Sequence, residues 1–155
     1  MKIGDILAEQ LVVPDLRSRD KEGVLRELVS HVCSHTSAIP VPDDQVLHAL
    51  LDRERLGSTG VGEGVAIPHA KIGGLKQLVA CFGRIRDGVA FDAIDQQPVS
   101  LVFVLLVPEN SAGAHLKALA RISRLLKNDG FRARLLELAG QHALYEAFME
   151  EDAKY

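Results

Sequence analysis

The sequence has little cysteine, no long apolar run and no block of charge of one sign, and each of these absences excludes a class of protein. Its two cysteines, Cys33 and Cys81, form no Cys-x-x-Cys pair and are too few for a disulfide framework, which indicates a reducing compartment. The most apolar stretch, Val99 to Val107, is far too short to cross a bilayer, and the N-terminal residues lack the segments of a secretory leader. We therefore expect a cytoplasmic protein with no direct membrane insertion.

The charged residues are nearly balanced, since 18 Lys and Arg stand against 21 Asp and Glu for a formal net charge of -3. Nucleic-acid binding by counterion release needs a concentrated basic stripe, which this sequence lacks, so we expect no nucleic-acid partner. The late helices are only locally basic, through Arg121, Arg124, Lys127, Arg132 and Arg134. A chain of 155 residues that is 47% hydrophobic predicts one domain over residues 1–155.

Apolar periodicity predicts helices on both sides of a covered sheet. Two amphipathic helices are expected early, one from Asp20, which is placed to cap it, to about Cys33, and one over 43–55. Residues 78–85 are typical of a strand closed by Asp87-Gly88, and 99–107 is apolar on both alternating sets, which indicates a central strand covered on both faces. Three more helices follow Pro108. This order predicts an α/β fold, a three-layer α/β/α sandwich with a mixed sheet flanked by helices.

The most informative segment is the glycine-dense run from Gly57 to Lys71, which passes through a short apolar stretch and reaches Pro68-His69. Glycine lets backbone amides approach an anion closely, and proline restricts the backbone just before the histidine. Val65 to Ile67 is expected to form a brief buried strand. A fixed histidine beside exposed amides suits phosphate chemistry.

His69 is the candidate nucleophile for phosphoryl transfer to nitrogen. Such transfer needs a neutral imidazole with a free lone pair and donors around the phosphoryl oxygens, and a histidine with its ordinary pKa near 6.5 is mostly neutral in the cytosol. The sequence leaves open which ring nitrogen attacks, and a capped loop residue is the alternative. His115 stands at the predicted start of a helix, where unpaired amides and the dipole favour a phosphate, although an ordinary surface residue also fits.

Further candidates lie before and within the glycine run. The guanidinium of Arg53 can bind phosphate oxygens, and Arg55 is the other arginine close enough in sequence to do so. The alternative is that Arg53 is a solvated residue at a helix end. Ser58 and Thr59 can donate hydroxyls or shape the turn, and Glu63 can orient His69 or face solvent. The predicted phosphate loop consists of Ser58, Thr59, Gly60, Gly62 and Glu63.

Two other motifs fail on spacing. Gly57-x4-Gly62 begins like a P-loop, but Glu63 stands where the phosphate-binding lysine belongs, so we expect neither nucleotide binding nor a cofactor. His31-x3-His35 has helical metal-ligand spacing, yet it lacks an obvious third and fourth ligand, so a polar helix terminus is favoured and no metal site is expected.

The run from Gly57 to Lys71 resembles, nearly residue for residue, the active-site segment of the type 2 (fructose/mannitol class) EIIA domains of the bacterial phosphoenolpyruvate-dependent phosphotransferase system. The nitrogen-regulatory EIIA branch resembles it most, through Leu56-Gly57-Ser58-Thr59-Gly60 and Phe91-Asp92-Ala93-Ile94-Asp95. Other matching motifs are Leu51-Asp52-Arg53-Glu54-Arg55-Leu56, Ala90 to Asp95, Leu105-Leu106-Val107-Pro108 and His115-Leu116.

The resemblance implies the same α/β architecture and a phosphocarrier that accepts a phosphoryl group on His69 from an HPr-type phosphohistidine protein. It implies that His115 hydrogen-bonds the phosphoryl group or its acceptor and that Arg53 stabilises the phosphoryl group. We expect a regulatory role, with potassium-transport or sensor-kinase proteins as possible targets, in preference to a sugar-specific EIIA that passes phosphate to an EIIB domain. A non-catalytic anion- or metal-binding module is the alternative from another class. We also expect Val61 and Val65 to surround the histidine and exclude water.

Overall fold

The computed structural model describes residues 1–155, the side chain of Ala112 excepted. Two short 3-10 turns, Ile3–Asp5 and Glu9–Leu11, precede the first strand. The strands are β1 (Val12–Val13), β2 (Gly60–Gly62), β3 (Val65–Ala66), β4 (His69–Ile72), β5 (Val79–Val89) and β6 (Val99–Pro108). The helices are α1 (Lys21–His35), α2 (Asp43–Arg55), α3 (Ala112–Leu126), α4 (Asp129–Glu137) and α5 (Gln141–Asp152).

The sheet is mixed, as predicted, with strand order β1-β5-β6-β3-β2 and with β4 also paired to β6. Strands β5 and β6 are antiparallel, whereas β3 and β4 both run parallel to β6 and occupy successive parts of the same edge. Leu101 to Val107 of β6 are all buried, which confirms the predicted central strand. The chain therefore leaves β3 and re-enters the sheet as β4 after only Ile67 and Pro68.

Helices cover both faces of this sheet, which confirms the predicted layers. Phe82 of β5 pairs with Phe103 of β6, and Phe148 of α5 packs against both, with ring centroids 4.8 Å and 5.6 Å away. The next residue along β5, Gly83, faces the opposite helix, because a Cβ there would lie 2.8 Å from Leu28 of α1. Successive strand residues point to opposite faces, so α1 and α5 lie on opposite sides.

Two local predictions about the helices and strands have different outcomes. Asp20 caps α1, since its Oδ1 accepts from the Gly23 amide at 2.6 Å, as predicted. The expectation that Asp87-Gly88 closes β5 is wrong. The strand continues to Val89 across a register shift, and Gly88 absorbs the irregularity with a φ of +72°. None of the helices in the described part of the chain is long and apolar enough to cross a membrane.

Candidate functional site

His69 owes its place to the junction between β3 and β4. Proline has no amide hydrogen to donate, and the Pro68 carbonyl instead accepts from the Leu105 amide at 2.9 Å, which begins the pairing of β4 with β6. His69 is then the register partner of Leu105. Leu105 lies two residues from Phe103 and so shares its face, which places His69 on the side of the sheet that α5 covers.

A hydrogen bond defines the state of the His69 ring. Its Nδ1 lies 2.9 Å from the carbonyl oxygen of Ile67. A carbonyl oxygen only accepts, so Nδ1 carries the hydrogen in this bond and the lone pair of the neutral ring is on Nε2. Nε2 is therefore the ring nitrogen whose lone pair lies outside this hydrogen bond, which the sequence alone did not show.

His115 faces His69 from the first turn of α3. The two ring centroids are 5.2 Å apart, with the planes inclined at 60°. The Nε2 atom of His115 is buried and has no hydrogen-bond partner within the described residues. Burial, and then the positive charges of His69 and Lys71, hold the pKa of His115 below its usual value. A buried polar atom without a partner is unfavourable, so this nitrogen is suited to a ligand that binds beside His69.

The N-terminus of α3 adds backbone donors to the same place. The residue before the helix, Ser111, gives no side-chain cap, because its hydroxyl donates instead to the Pro108 carbonyl at 2.7 Å. The first amides of a helix have no intrahelical partner, and the helix dipole makes this end positive. The predicted position of His115 at a helix start is confirmed.

A cleft of about 320 Å³ brings Arg53, His69 and His115 together. Arg53 donates from Nη1 to the Gly57 carbonyl at 2.8 Å, which holds the guanidinium at the end of α2. Arg55 pairs instead with Asp52 at 2.5 Å and is not among the residues that line the cleft. The lining consists of Ala49, Asp52, Arg53, Leu56, His69, Ala70, Lys71 and His115.

Sequence reasoning missed Lys71, the second cation of this cleft. Lys71 lies two residues after His69 in β4, so the two side chains share one face of the strand. The period-2 pattern would have identified it, had β4 been predicted as a strand.

The side chains of the predicted phosphate loop are engaged elsewhere. Ser58 donates its hydroxyl to the Phe91 carbonyl at 2.7 Å and accepts from the Gly60 amide at 3.0 Å. Thr59 is buried and donates its amide, at 3.1 Å, and its hydroxyl to the Glu54 carboxylate. The sequence predicts that the hydroxyls of Ser58 and Thr59 either donate to a phosphate or shape the turn, and this geometry supports the second interpretation.

Glu63 stands in the turn between β2 and β3, directly after Gly62, the last residue of β2, and neither residue lines the His69 cleft. Both have positive φ, +58° and +99°, and the Glu63 amide donates to Asp95 at 2.8 Å. The Glu63 carboxylate forms an ion pair with Arg132 of α4. The alternative that Glu63 orients His69 is therefore wrong, because the Ile67 carbonyl does so.

The prediction that Val61 and Val65 surround His69 is also wrong. Val65 is a core residue and is 2% exposed. Val61 is 56% exposed and lines a different cleft with Ser123 and Arg132. Leu56, which is 85% exposed, lines the His69 cleft instead.

His31, His35 and the two cysteines are not among the residues that line the His69 cleft. The His31 and His35 rings stack at 3.9 Å, and each has one nitrogen on a backbone carbonyl, of Gln10 and of His31 respectively. Among the described residues, no group of three or more His, Cys, Asp or Glu side chains is arranged to hold a metal ion. Cys81 is buried and Cys33 is half-buried, and both are free thiols.

Comparison with known proteins gives the same picture over nearly the whole chain. The sequence profile of the EIIA 2 family of the phosphoenolpyruvate-dependent sugar phosphotransferase system matches residues 5–151. A nitrogen regulatory protein of Bradyrhizobium diazoefficiens is 39% identical over 145 residues, which span 94% of this chain and 93% of that protein. The fructose-specific EIIABC component of Bacillus subtilis is 37% identical over 153 residues, which span 98% of this chain and 24% of that protein.

A solved structure agrees with these sequence matches. The crystal structure of the nitrogen regulatory protein IIA-Ntr from Neisseria meningitidis superposes with a TM-score of 0.87 at 36% identity, covering 94% of this chain and 98% of that one. The fold, the cleft around His69 and the matched length lead to one conclusion. This chain belongs to the EIIA type 2 family of the phosphoenolpyruvate-dependent sugar phosphotransferase system.

Proposed function

We propose that the chain is a phosphocarrier in which Nε2 of His69 accepts a phosphoryl group from the phosphohistidine of an HPr-type carrier protein. The observation that carries this proposal is the Nδ1 hydrogen bond to Ile67, which leaves the Nε2 lone pair free in a cleft shared with Arg53 and His115. Membership of the EIIA family supports the reaction class.

The transfer moves one phosphoryl group between two imidazoles. The Nε2 lone pair of His69 forms the new P–N bond while the P–N bond of the donor breaks, and the donor nitrogen keeps that electron pair. Nδ1 keeps its hydrogen and donates it to the Ile67 carbonyl throughout. We propose that the His115 ring, the Arg53 guanidinium and the first amides of α3 stabilise the phosphoryl oxygens in a loose transition state, which their positions beside His69 support.

The surface beside the cleft suits a protein partner. Leu56 lines the cleft and is 85% exposed, and Leu116, which follows His115, is 67% exposed. Exposed apolar side chains near a reactive group favour docking of another protein, and docking excludes the water that would hydrolyse the phosphorylated ring. We propose an HPr-type carrier as the donor that covers these residues.

The similarity to nitrogen regulatory proteins in both sequence and structure supports a regulatory role in preference to sugar uptake. A nitrogen regulatory protein is 39% identical to this chain, and the solved IIA-Ntr structure superposes with a TM-score of 0.87. We propose potassium-transport or sensor-kinase proteins as the regulated targets, because the family resemblance implies them. An EIIB domain as acceptor in fructose/mannitol-type uptake is the second candidate.

Mass spectrometry tests the covalent step. Incubation with enzyme I, an HPr-type carrier and phosphoenolpyruvate should add one acid-labile phosphoryl group, and His69→Ala should abolish the adduct. His142→Ala is the matched control, because that exposed imidazole pairs with Glu9, away from the cleft. His115→Ala should slow transfer onward more than it slows acceptance.

Two results of this experiment would contradict the proposal. An adduct that survives His69→Ala would place the phosphoryl group elsewhere. Absence of an adduct with a competent donor would favour a module that binds an anion between Arg53 and Lys71 without a covalent step.

A further inference from the structure

Glu54 is a buried acid that the proposed chemistry does not use. Its side chain is 5% exposed and stands in the last turn of α2, directly after Arg53. A carboxylate at this end of a helix faces the negative end of the dipole, and burial of a charge is unfavourable unless it is paired and hydrogen-bonded. Glu54 must therefore make contacts that offset both effects.

Those contacts join three parts of the fold. Oε2 of Glu54 lies 2.8 Å from Nζ of Lys21 at the start of α1. Oε1 accepts from the Thr59 amide at 3.1 Å and also from the Thr59 hydroxyl. The ammonium of Lys21 also lies 4.9 Å from the Phe91 ring centroid, so the ion pair is enclosed on that side. The Glu54 carboxylate thus holds Thr59 by accepting from two of its donors, the amide and the hydroxyl.

Two hydrogen bonds, one between backbone groups and one from the His69 side chain, connect Thr59 to the imidazole. The Thr59 carbonyl accepts from the Ile67 amide at 3.0 Å, and the Ile67 carbonyl accepts from Nδ1 of His69 at 2.9 Å. In Thr59 and in Ile67 the amide that donates and the carbonyl that accepts belong to different peptide groups. The connection therefore fixes the position of the imidazole and does not relay charge to it. A displaced Thr59 would move the Ile67 carbonyl, and with it the ring that the carbonyl orients.

We propose that Glu54 is a positioning residue for phosphoryl transfer, which acts through Thr59 and Ile67 to keep Nε2 of His69 directed at the incoming phosphoryl group. The inference rests on the proposed function of His69. It assigns Thr59 to the support of the imidazole, in place of direct contact with phosphate.

The contacts of the two carboxylate oxygens provide a discriminating set of variants. In Glu54→Gln the amide oxygen can replace Oε1 and still accept both bonds from Thr59, but the amide nitrogen then opposes the ammonium of Lys21. The double variant Lys21→Met/Glu54→Gln removes that conflict and keeps the hold on Thr59. Glu54→Ala removes the hold altogether, and Thr59→Val removes the hydroxyl with little change of shape.

The experiment combines ¹⁵N NMR of the unphosphorylated His69 ring with single-turnover transfer from the phosphorylated HPr-type carrier at increasing carrier concentration. In Glu54→Ala and Thr59→Val the fraction of Nδ1–H tautomer should fall. Their maximal rate should fall about 10-fold, since small displacements of reacting groups are expensive, and the half-saturating carrier concentration should stay unchanged. The double variant should keep the tautomer and a rate within about twofold of wild type.

Each other outcome decides against one part of the proposal. An unchanged tautomer fraction and an unchanged rate in both Glu54→Ala and Thr59→Val would overturn the inference. A double variant that is as impaired as Glu54→Ala would also overturn it, because the charge of Glu54 and not the position of Thr59 would then determine the rate. If Glu54→Ala does not fold, Thr59→Val decides alone. If wild type accepts no phosphoryl group, the proposed function fails, and the tautomer measurement still decides whether Glu54 positions the ring.

Discussion

The hydrogen bond from His69 to the Ile67 carbonyl predicts which ring nitrogen carries the phosphoryl group. The perturbation is phosphorylation itself, with the ring observed before and after. Attack through Nδ1 would require the ring to give up this bond and to leave the Ile67 carbonyl, in a residue that is 4% exposed, without its donor. We therefore expect the phosphoryl group on Nε2, with the Nδ1–H bond retained.

The size of the preference follows from that lost bond. Leaving a buried or partly buried carbonyl without a donor is unfavourable by about 1–2 kcal/mol, which corresponds to about a 5- to 30-fold preference for Nδ1–H over Nε2–H in the neutral ring. The assay is NMR of protein labelled with ¹⁵N in its histidines, in which the two nitrogens have different shifts and the phosphorylated one couples to ³¹P.

The same spectra can refute the reasoning. A neutral ring with equal tautomers would show that the bond is too weak to orient His69. Coupling of ³¹P to Nδ1 would show that the Ile67 carbonyl does not determine the site of attack. The exposed ring of His142 serves as an internal reference that should gain no phosphorus coupling.

Three further predictions concern residues around the same cleft. Leu56→Ser should raise the half-saturating concentration of the HPr-type carrier several-fold yet change the free energy of unfolding by less than about 0.5 kcal/mol, because the side chain is 85% exposed. Burial and nearby positive charge lower the pKa of His115. The contribution of His115 to stability is therefore complete above its ordinary pKa and is lost as the pH falls through the lower folded-state value. The urea midpoint should fall less on acidification in His115→Gln than in wild type. Gly60→Ala would place a Cβ 2.7 Å from the Cβ of Ala93 and should destabilise by about 1–3 kcal/mol in urea unfolding, whereas Gly113→Ala meets nothing within 4 Å and should stabilise the helix by up to about 1 kcal/mol.

Each of these has a result that counts against it. An unchanged carrier dependence in Leu56→Ser would exclude that leucine from docking. Parallel pH profiles for His115→Gln and wild type would show that His115 does not contribute to acid sensitivity. Equal stability of Gly60→Ala and Gly113→Ala would show that the 91–93 segment can move away from residue 60 at little cost in free energy.

The features predicted correctly from the sequence are those with a local cause. The Asp20 cap and the helical stripe of α1 are set by residues three or four apart, and the doubly buried β6 is set by unbroken apolar composition. The same holds for the glycine run that ends in Pro68-His69, since its backbone restrictions are properties of those residues themselves.

The predictions that failed depended on partners distant in the chain. Strands β1, β2 and β4 have at most four residues each and exist because of their pairing in the sheet. Glu63 pairs with Arg132, 69 positions away, which no pattern near the glycine run could indicate. Ser58 is likewise engaged by the Phe91 carbonyl.

The amino-acid order alone determined the layered fold, the candidate imidazole at position 69 and the chemistry suited to it. Only the tertiary structure decided that Nε2 is the free nitrogen, that Arg53 and not Arg55 lines the cleft, and that Thr59 supports the loop from inside. The physical reason is range. Periodicity and backbone restriction act over a few residues, whereas ring orientation and the partners of buried polar groups depend on which distant segments the sheet brings within hydrogen-bond distance.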